Sequence, residues 1–303
     1  MRILTHNRIM KRLLIVGCGD VALRTIPLLC MKYKVFALVR DPAKSAGLRA
    51  LGVQPLVGDL DDRASLARIA GLADAVLHLA PPPNSGIQDT RTHNLLSALS
   101  QGLGRGRGLP KRLVYISTSG VYGDCAGEWV SETRPLKSTS PRSRRRVDAE
   151  LQIRDWARRN HVNTSILRVP GIYAADRLPL SRIQNGTPGI VDSEDSYTNH
   201  IHADDLARIS IAALRHGRPC RVYHASDDSQ LKMGEYFDLV ADAHHLPRVP
   251  RVSRAEAQNV LPETLLSFMN ESRRLTNRRM KRELKVTLRY PTVADMLATT
   301  DHP

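Results

Sequence analysis

The residues with the plainest chemical use sit at the ends of apolar runs. Gly17-Cys18-Gly19-Asp20-Val21-Ala22 follows the run Leu13–Val16 and opens a helical stretch. In this GxGxxA spacing Gly17 permits a tight turn and Gly19 lets the backbone approach a pyrophosphate. The small Ala22 lets the helix pack close to the strand. The pyrophosphate would rest on the amides of the helix start, beside Cys18, Asp20 and Val21, where the helix dipole favours an anion. The next apolar run ends Leu38-Val39-Arg40-Asp41. A guanidinium at Arg40 suits a 2′-phosphate and favours NADP over NAD, although a shift of one residue would return a carboxylate, Asp41, to the ribose.

Other constellations have plainer explanations. His200-x-His202 with Asp204 and Asp205 offers metal-ligand types, but a strand end followed by an acidic first helical turn accounts for it, and no metal is expected. His244-His245 falls at a helix end, where cationic residues are favourable. Ser117 and Ser119 lack the Gly-x-Ser-x-Gly elbow of a serine hydrolase. Cys18, Cys30, Cys125 and Cys220 form no CxxC pair, which argues against a zinc ribbon or disulfide scaffold and for a reducing cytoplasm.

Placing these residues takes alternating strands and helices. Strand-like runs occur at 13–16, 35–39, 54–57, 75–79, 113–116, 164–169 and 222–225, with helical stretches at 21–31, 43–51, 62–70, 88–99, 144–159 and 204–216. Continuous apolar strands between helices predict an α/β fold: a Rossmann-type doubly wound parallel sheet, covered on both faces. Gln101–Pro110 reads as a Gly/Arg loop before the fifth strand. Beyond about residue 226 helices dominate, broken at Pro247, Pro250 and Pro262. The expected organisation is an N-terminal extension (1–10), a dinucleotide-binding domain (11–170 and 199–226) and a small, mainly helical cap (171–198 and 227–303). Met10 would open MKRLLIVGCGD, a usual start for a first strand.

The 303 residues suffice for one large domain or two ordinary ones. Their 45 Lys plus Arg against 30 Asp plus Glu give a net charge of +15, and 36 of the cations are arginine. Arg142 to Arg159 carries a surplus of +4 and Arg248 to Arg289 one of +7. A basic stripe can mark nucleic-acid binding, but aromatic residues are only 4% and do not interleave with these cations, so stacking platforms are not expected. No apolar run reaches the length of a membrane span.

Further motifs follow in order: Gly58-Asp59-Leu60, Val76-Leu77-His78-Leu79-Ala80 before Pro81, Tyr115-Ile116-Ser117-Thr118-Ser119-Gly120-Val121-Tyr122-Gly123, Leu167-Arg168-Val169-Pro170-Gly171-Ile172-Tyr173 and Asn199-His200-Ile201-His202-Ala203-Asp204-Asp205. Over roughly Lys11 to Ser226 the chain resembles the extended short-chain dehydrogenase/reductase superfamily, its NAD(P)-dependent epimerase/dehydratase group. The resemblance implies that Asp59 and Leu60 lie near adenine, and that Leu79, Ala80 and Pro81 line the cofactor. Pro170 and Gly171 would sit beside the nicotinamide. Tyr173, Arg177 and His202 would face substrate, and Thr118 would take the family's Ser/Thr position.

The pattern then breaks. The superfamily pairs its Ser/Thr with Tyr-x-x-x-Lys, a proton relay on the following helix. Aligning Glu150 with the family's KxxAE glutamate puts Arg142 at the tyrosine and Arg146 at the lysine. Arg146 could hold ribose hydroxyls, but arginine does not relay protons. The arginine-rich helix is similar to that of the atypical, YeeZ-like proteins. Tyr122, four residues after Thr118, is the expected replacement acid. These readings imply an oxidoreductase or epimerase-like enzyme that transfers hydride on a small polar or nucleotide-linked substrate, with NADP favoured. A non-catalytic NADP sensor is the alternative. No membrane partner is expected, and a homodimer is left open.

Overall fold

The computed structural model describes residues 10–102 and 108–300. The expected N-terminal extension, apart from Met10, and the centre of the Gly/Arg loop lie outside the described residues. The first half of the chain alternates as its apolar runs require: β1 (Lys11–Val16), α1 (Asp20–Cys30), β2 (Tyr33–Val39), α2 (Ser45–Ala50), β3 (Gln54–Val57), β4 (Ala75–His78), α3 (Thr90–Ser100) and β5 (Arg112–Thr118). One expected helix, 43–51, is shortened to Ser45–Ala50, and another, 62–70, is 3₁₀ instead of α. Residues 42–44 and Arg63–Ile69 are 3₁₀ turns. The Asp41 and Asp62 carboxylates each accept from the amide two residues on, at 2.9 and 3.0 Å, which closes a tight turn.

After β6 (Trp129–Val130) come α4 (Pro141–Asn160), β7 (Asn163–Val169), β8 (Gly171–Tyr173), α5 (Leu180–Gln184), β9 (Gly189–Ile190), β10 (His200–His202), α6 (Ala203–His216) and β11 (Arg221–His224). The last part holds α7 (Met233–Ala243), β12 (Arg251–Val252), α8 (Arg254–Val260), α9 (Glu263–Met269), β13 (Arg274–Leu275), α10 (Arg278–Leu284) and α11 (Val293–Thr300). The main sheet has seven strands in the order β11-β7-β5-β4-β1-β2-β3, parallel at every pairing. This is the doubly wound α/β arrangement the sequence predicts, with the order reversing between β1 and β4, where such sheets hold ligands.

Alternate side chains of β1 divide the core. Leu13 and Ile15 pack with Ala22, Ile26 and Leu29 of α1 and Leu206 and Ile209 of α6, whereas Leu14 and Val16 pack with Leu95 and Leu99 of α3 and Ile153 and Trp156 of α4. A separate cluster of Tyr173, Ile183, Tyr236, Phe237, Val240 and Met296 forms a second core from the segments 171–198 and 227–303. The segment 227–303 does not all stay there. Met280 and Leu284 of α10 join the α1/α6 side of the main core. Among the described residues no helix is long and apolar enough to cross a membrane.

Candidate active site

Gly17 has φ +93°, and a Cβ there would lie 2.5 Å from the Ala80 amide nitrogen. The position therefore accepts glycine alone without displacing the β4 end, which is itself tied to β1 by the Leu79 and Ala80 amides donating to the Val16 carbonyl. Helix α1 starts at once, with Gly19 as an N-cap that has no capping side chain. A cavity of about 650 Å³ opens over this turn. Its walls include Gly17, Cys18, Gly19, Asp20 and Val21, then Arg40 and Lys44, then Asp59 and Leu60, and finally Leu79, Ala80 and Pro81. The GxGxxA turn and the three following strand ends thus share one trough, and a bare glycine turn over open helix amides fits a dinucleotide pyrophosphate.

Past the end of β2 the trough carries charge of both signs. Arg40, Asp41 and Lys44 all line the cavity, and the Asp41 carboxylate also accepts from the Ala43 amide in its own 3₁₀ cap. The Cys18 thiol is pushed up to about 11 by burial, so it stays a thiol. At the rim Asp20 is held by Arg24 at 2.9 Å and Arg177 at 3.0 Å, and Arg24 reaches on to Asp204 and Asp176.

A second cavity, of about 590 Å³, adjoins the first, and Pro81 and Arg177 line both. It contains Thr118, Arg146, Pro170, Gly171 and Tyr173. Thr118 ends β5 and its Oγ1 accepts from the Gly120 amide at 3.2 Å, leaving the hydroxyl proton free to be donated elsewhere. Arg146 donates to the Ile116 carbonyl (2.8 Å) and the Tyr115 hydroxyl (3.0 Å). His200 also lines this cavity but is neutral, because burial pushes its pKa down to about 3.

Two of the expected residues are not brought here. Tyr122 is 1% exposed and absent from the cavity wall. Its hydroxyl accepts from Arg168 at 2.6 Å and lies 2.6 Å from His224 Nε2. His224 Nδ1 faces the Thr276 carbonyl, so it carries the ring proton and Nε2 accepts from Tyr122. Burial raises the Tyr122 pKa to about 12. The sequence distance from Thr118 misleads because the 3₁₀ turn 119–122 carries Tyr122 beneath the sheet end. There it belongs to a buried network in which Arg168 forks onto Glu150 (3.0 and 2.7 Å) and Ser117 donates to Glu150 at 2.7 Å. His202 likewise turns away. Its Nδ1 accepts from the Asp204 amide, capping α6, and its ring lies against Tyr290 and Tyr173.

The walls also contain residues that sequence reasoning did not single out as ligands. Lys44 and Arg91 line the first cavity. Arg142, Arg145, Arg182, Arg273, Tyr236 and Phe268 line the second. The arginine run of α4 was a visible signal for Arg142 and Arg145. Nothing local marks Arg182 or Phe268, which reach the cavity from α5 and α9.

Comparison with known proteins agrees with this geometry. The structure resembles a functionally unknown conserved protein from Silicibacter pomeroyi, with TM-score 0.78, 28% identity and coverage of 96% of this chain and 98% of that one. It shares its fold with dTDP-glucose 4,6-dehydratase from Streptomyces venezuelae, TM-score 0.73 at 19% identity over 96% of this chain and 97% of that one. The human dTDP-D-glucose 4,6-dehydratase is 21% identical over 179 residues, 53% of this chain and 49% of that protein. The aligned part therefore spans about half of the curated relative. Residues 27–225 match the NAD dependent epimerase/dehydratase family. With about two-thirds of its length in that match, and the trough and parallel sheet in place, the chain belongs to the NAD dependent epimerase/dehydratase family.

Proposed function

We propose that this protein is an NADP-binding oxidoreductase or epimerase-like enzyme of the atypical, YeeZ-like kind, acting on a small polar or nucleotide-linked substrate. The observation that carries the reading is the junction at Pro81 and Arg177, where the trough over the GxGxxA turn opens into the chamber containing Thr118. The amides at the start of α1 would hold the pyrophosphate, with Arg40 and Lys44 at a 2′-phosphate and Asp59 and Leu60 at the adenine side. Pro170 and Gly171 would border the nicotinamide, which when bound supplies or accepts a hydride. Thr118 donates a hydrogen bond to the reacting oxygen and orients it. Arg177, already at the junction, bridges the two chambers electrostatically.

Arg142 and Arg146 stand where the tyrosine and lysine are expected, and neither can relay a proton. That substitution favours a second reading, a sensor that binds NADP without turnover. Titration of intrinsic fluorescence with NADPH and NADH tests the cofactor assignment. We expect NADPH to bind more tightly, and Arg40→Ala to weaken NADPH about tenfold or more while leaving NADH unchanged. Equal affinities for the two would overturn the NADP preference. Nicotinamide absorbance followed across a metabolite panel then separates enzyme from sensor, since a sensor gives no change with any compound.

A further inference from the structure

The arginine standing in the tyrosine's place has no acid to pair with. Arg142 lies over the Phe268 ring, 3.9 Å from its centre. One turn on, Arg145 donates to the Gly86 carbonyl at 2.6 Å, and Arg146 is held by a carbonyl and a hydroxyl. From the opposite wall Arg182 donates to the Pro188 carbonyl and stacks on Phe237. Among the described residues none of these four has a carboxylate within ion-pair distance, although Arg24, Arg91, Arg168, Arg221 and Arg248 all do. The one acid lining the chamber, Glu271, is taken by Arg273 at 2.9 Å.

Without a ligand the chamber is strongly cationic, with six arginines lining it against Glu271, and Arg142 keeps an exposed face toward solvent. Burial, together with Arg146, Arg145 and Arg273 nearby, pulls the Arg142 pKa down, partly offset by Glu271, and burial draws Arg182 down to about 10. An incoming oxyanion relieves the repulsion and meets planar donors suited to it. Neutral hydroxyl groups would not. The aromatic faces behind Arg142 and Arg182 hold those guanidiniums in place.

We propose that this chamber binds a substrate oxyanion at its reacting end, Arg142 gripping a carboxylate or phosphate carried close to the carbon that faces Thr118. The substrate class is then a small acid, not a neutral sugar or polyol. This rests on Thr118 marking the reacting end, as in the preceding reading.

The test is calorimetric titration of the intact protein, with and without NADPH, using glycerate, glycerol 3-phosphate, glycerol and UDP. At least one of the two small acids should bind, with the preference between them separating carboxylate from phosphate, and glycerol should not. Arg142→Gln should weaken the acid about tenfold or more, with Arg142→Lys falling between, because charge is kept but the fork is lost. NADPH affinity should be unchanged in both variants, which also reports that they fold. Glycerol binding as well as the acids, no binding of either acid, or acid binding indifferent to Arg142→Gln would overturn the proposal. So would UDP alone showing the whole Arg142 dependence, since the anion would then be a remote nucleotide diphosphate. Failure of the wild-type protein to bind NADPH while acids still bind through Arg142 would count against the cofactor reading and leave this one standing.

Discussion

The trough over Gly17 and the chamber beside Thr118 share Pro81 and Arg177, yet they are made of different material. The trough is chiefly backbone: a positive-φ glycine, open amides at the start of α1, and the Gly58 and Ala80 strand ends. The chamber is chiefly long side chains, arginines and aromatics drawn from α4, α5, α7, α9 and the strands between. Backbone sites tolerate few residue types and leave spaced motifs. Side-chain sites assembled from distant segments can change their chemistry one residue at a time, and here α4 presents Arg142, Arg145 and Arg146 to the chamber. The trough's shape is thus fixed largely by backbone, while the chamber's chemistry rests on side chains that can change without altering the fold.

The sharpest way to break the trough is at Gly17. Alanine there must adopt φ +93° and force the Ala80 backbone away from a 2.5 Å contact. The strained conformation costs about 1–3 kcal/mol and the displacement a similar amount, so Gly17→Ala should lower unfolding free energy by roughly 2–6 kcal/mol. It should also abolish dinucleotide binding. Denaturant melts and NADPH titration check both, and a variant that binds NADPH normally would show that the trough is not built on backbone as argued.

A buried network outside both regions is tested next. Glu150 is 1% exposed and holds Arg168, which is 3% exposed, while Arg168 in turn holds Tyr122. Removing the carboxylate leaves a guanidinium buried without its counter-ion, so Glu150→Ala should cost about 3–5 kcal/mol. Because the network lies behind the sheet end and not in either cavity, NADPH affinity measured well below the melting point should hardly change. A large loss of affinity with normal stability would instead make the network part of the cofactor site.

How much of this was legible follows the same division. All seven sheet strands were readable, because parallel strands in a covered sheet leave short apolar runs between helices, and the GxGxxA turn could be placed to the residue. Of the trough residues, Arg40 followed from a strand end, while Asp59 and Ala80 came from the family resemblance. Thr118 came from the family resemblance, since the apolar run of the fifth strand stops at Ile116, two residues short of the end of β5. Tyr122 was not, because a 3₁₀ turn separates it from the chamber and a buried Arg168 claims its hydroxyl, and neither can be seen in spacing. His202 was misread similarly, since its ring serves as a helix cap. Arg182 and Phe268 come from short helices whose docking depends on cap packing, for which a single sequence carries no local mark.

The smallest expected effect concerns a proton hidden behind the chamber. Asp227 is 4% exposed, accepts from the Ser229 amide at 2.9 Å and faces Tyr173, Tyr236 and Asp228. Burial raises its pKa to about 7. An unfolded aspartate titrates near 3.9, so between about pH 4 and 7 the folded chain holds a proton that the unfolded chain releases. Its contribution to stability is therefore complete at low pH and is lost as pH rises, at about 1.4 kcal/mol per pH unit within that window. His78, His200 and His224 act oppositely. Burial keeps each neutral with a pKa near 3, so their contribution is lost as pH falls below the usual 6.5. Three histidines outweigh one aspartate, and the protein should weaken on acidification from pH 6.5 to 4.5. Asp227→Asn removes the only one of these four groups that resists the trend, so its stability should fall more steeply than the wild type's, by about 1.4 kcal/mol per pH unit. Urea melts at half-unit pH steps measure the two slopes, and parallel slopes would mean that Asp227 ionises as an ordinary carboxylate and that the substrate end hides no proton.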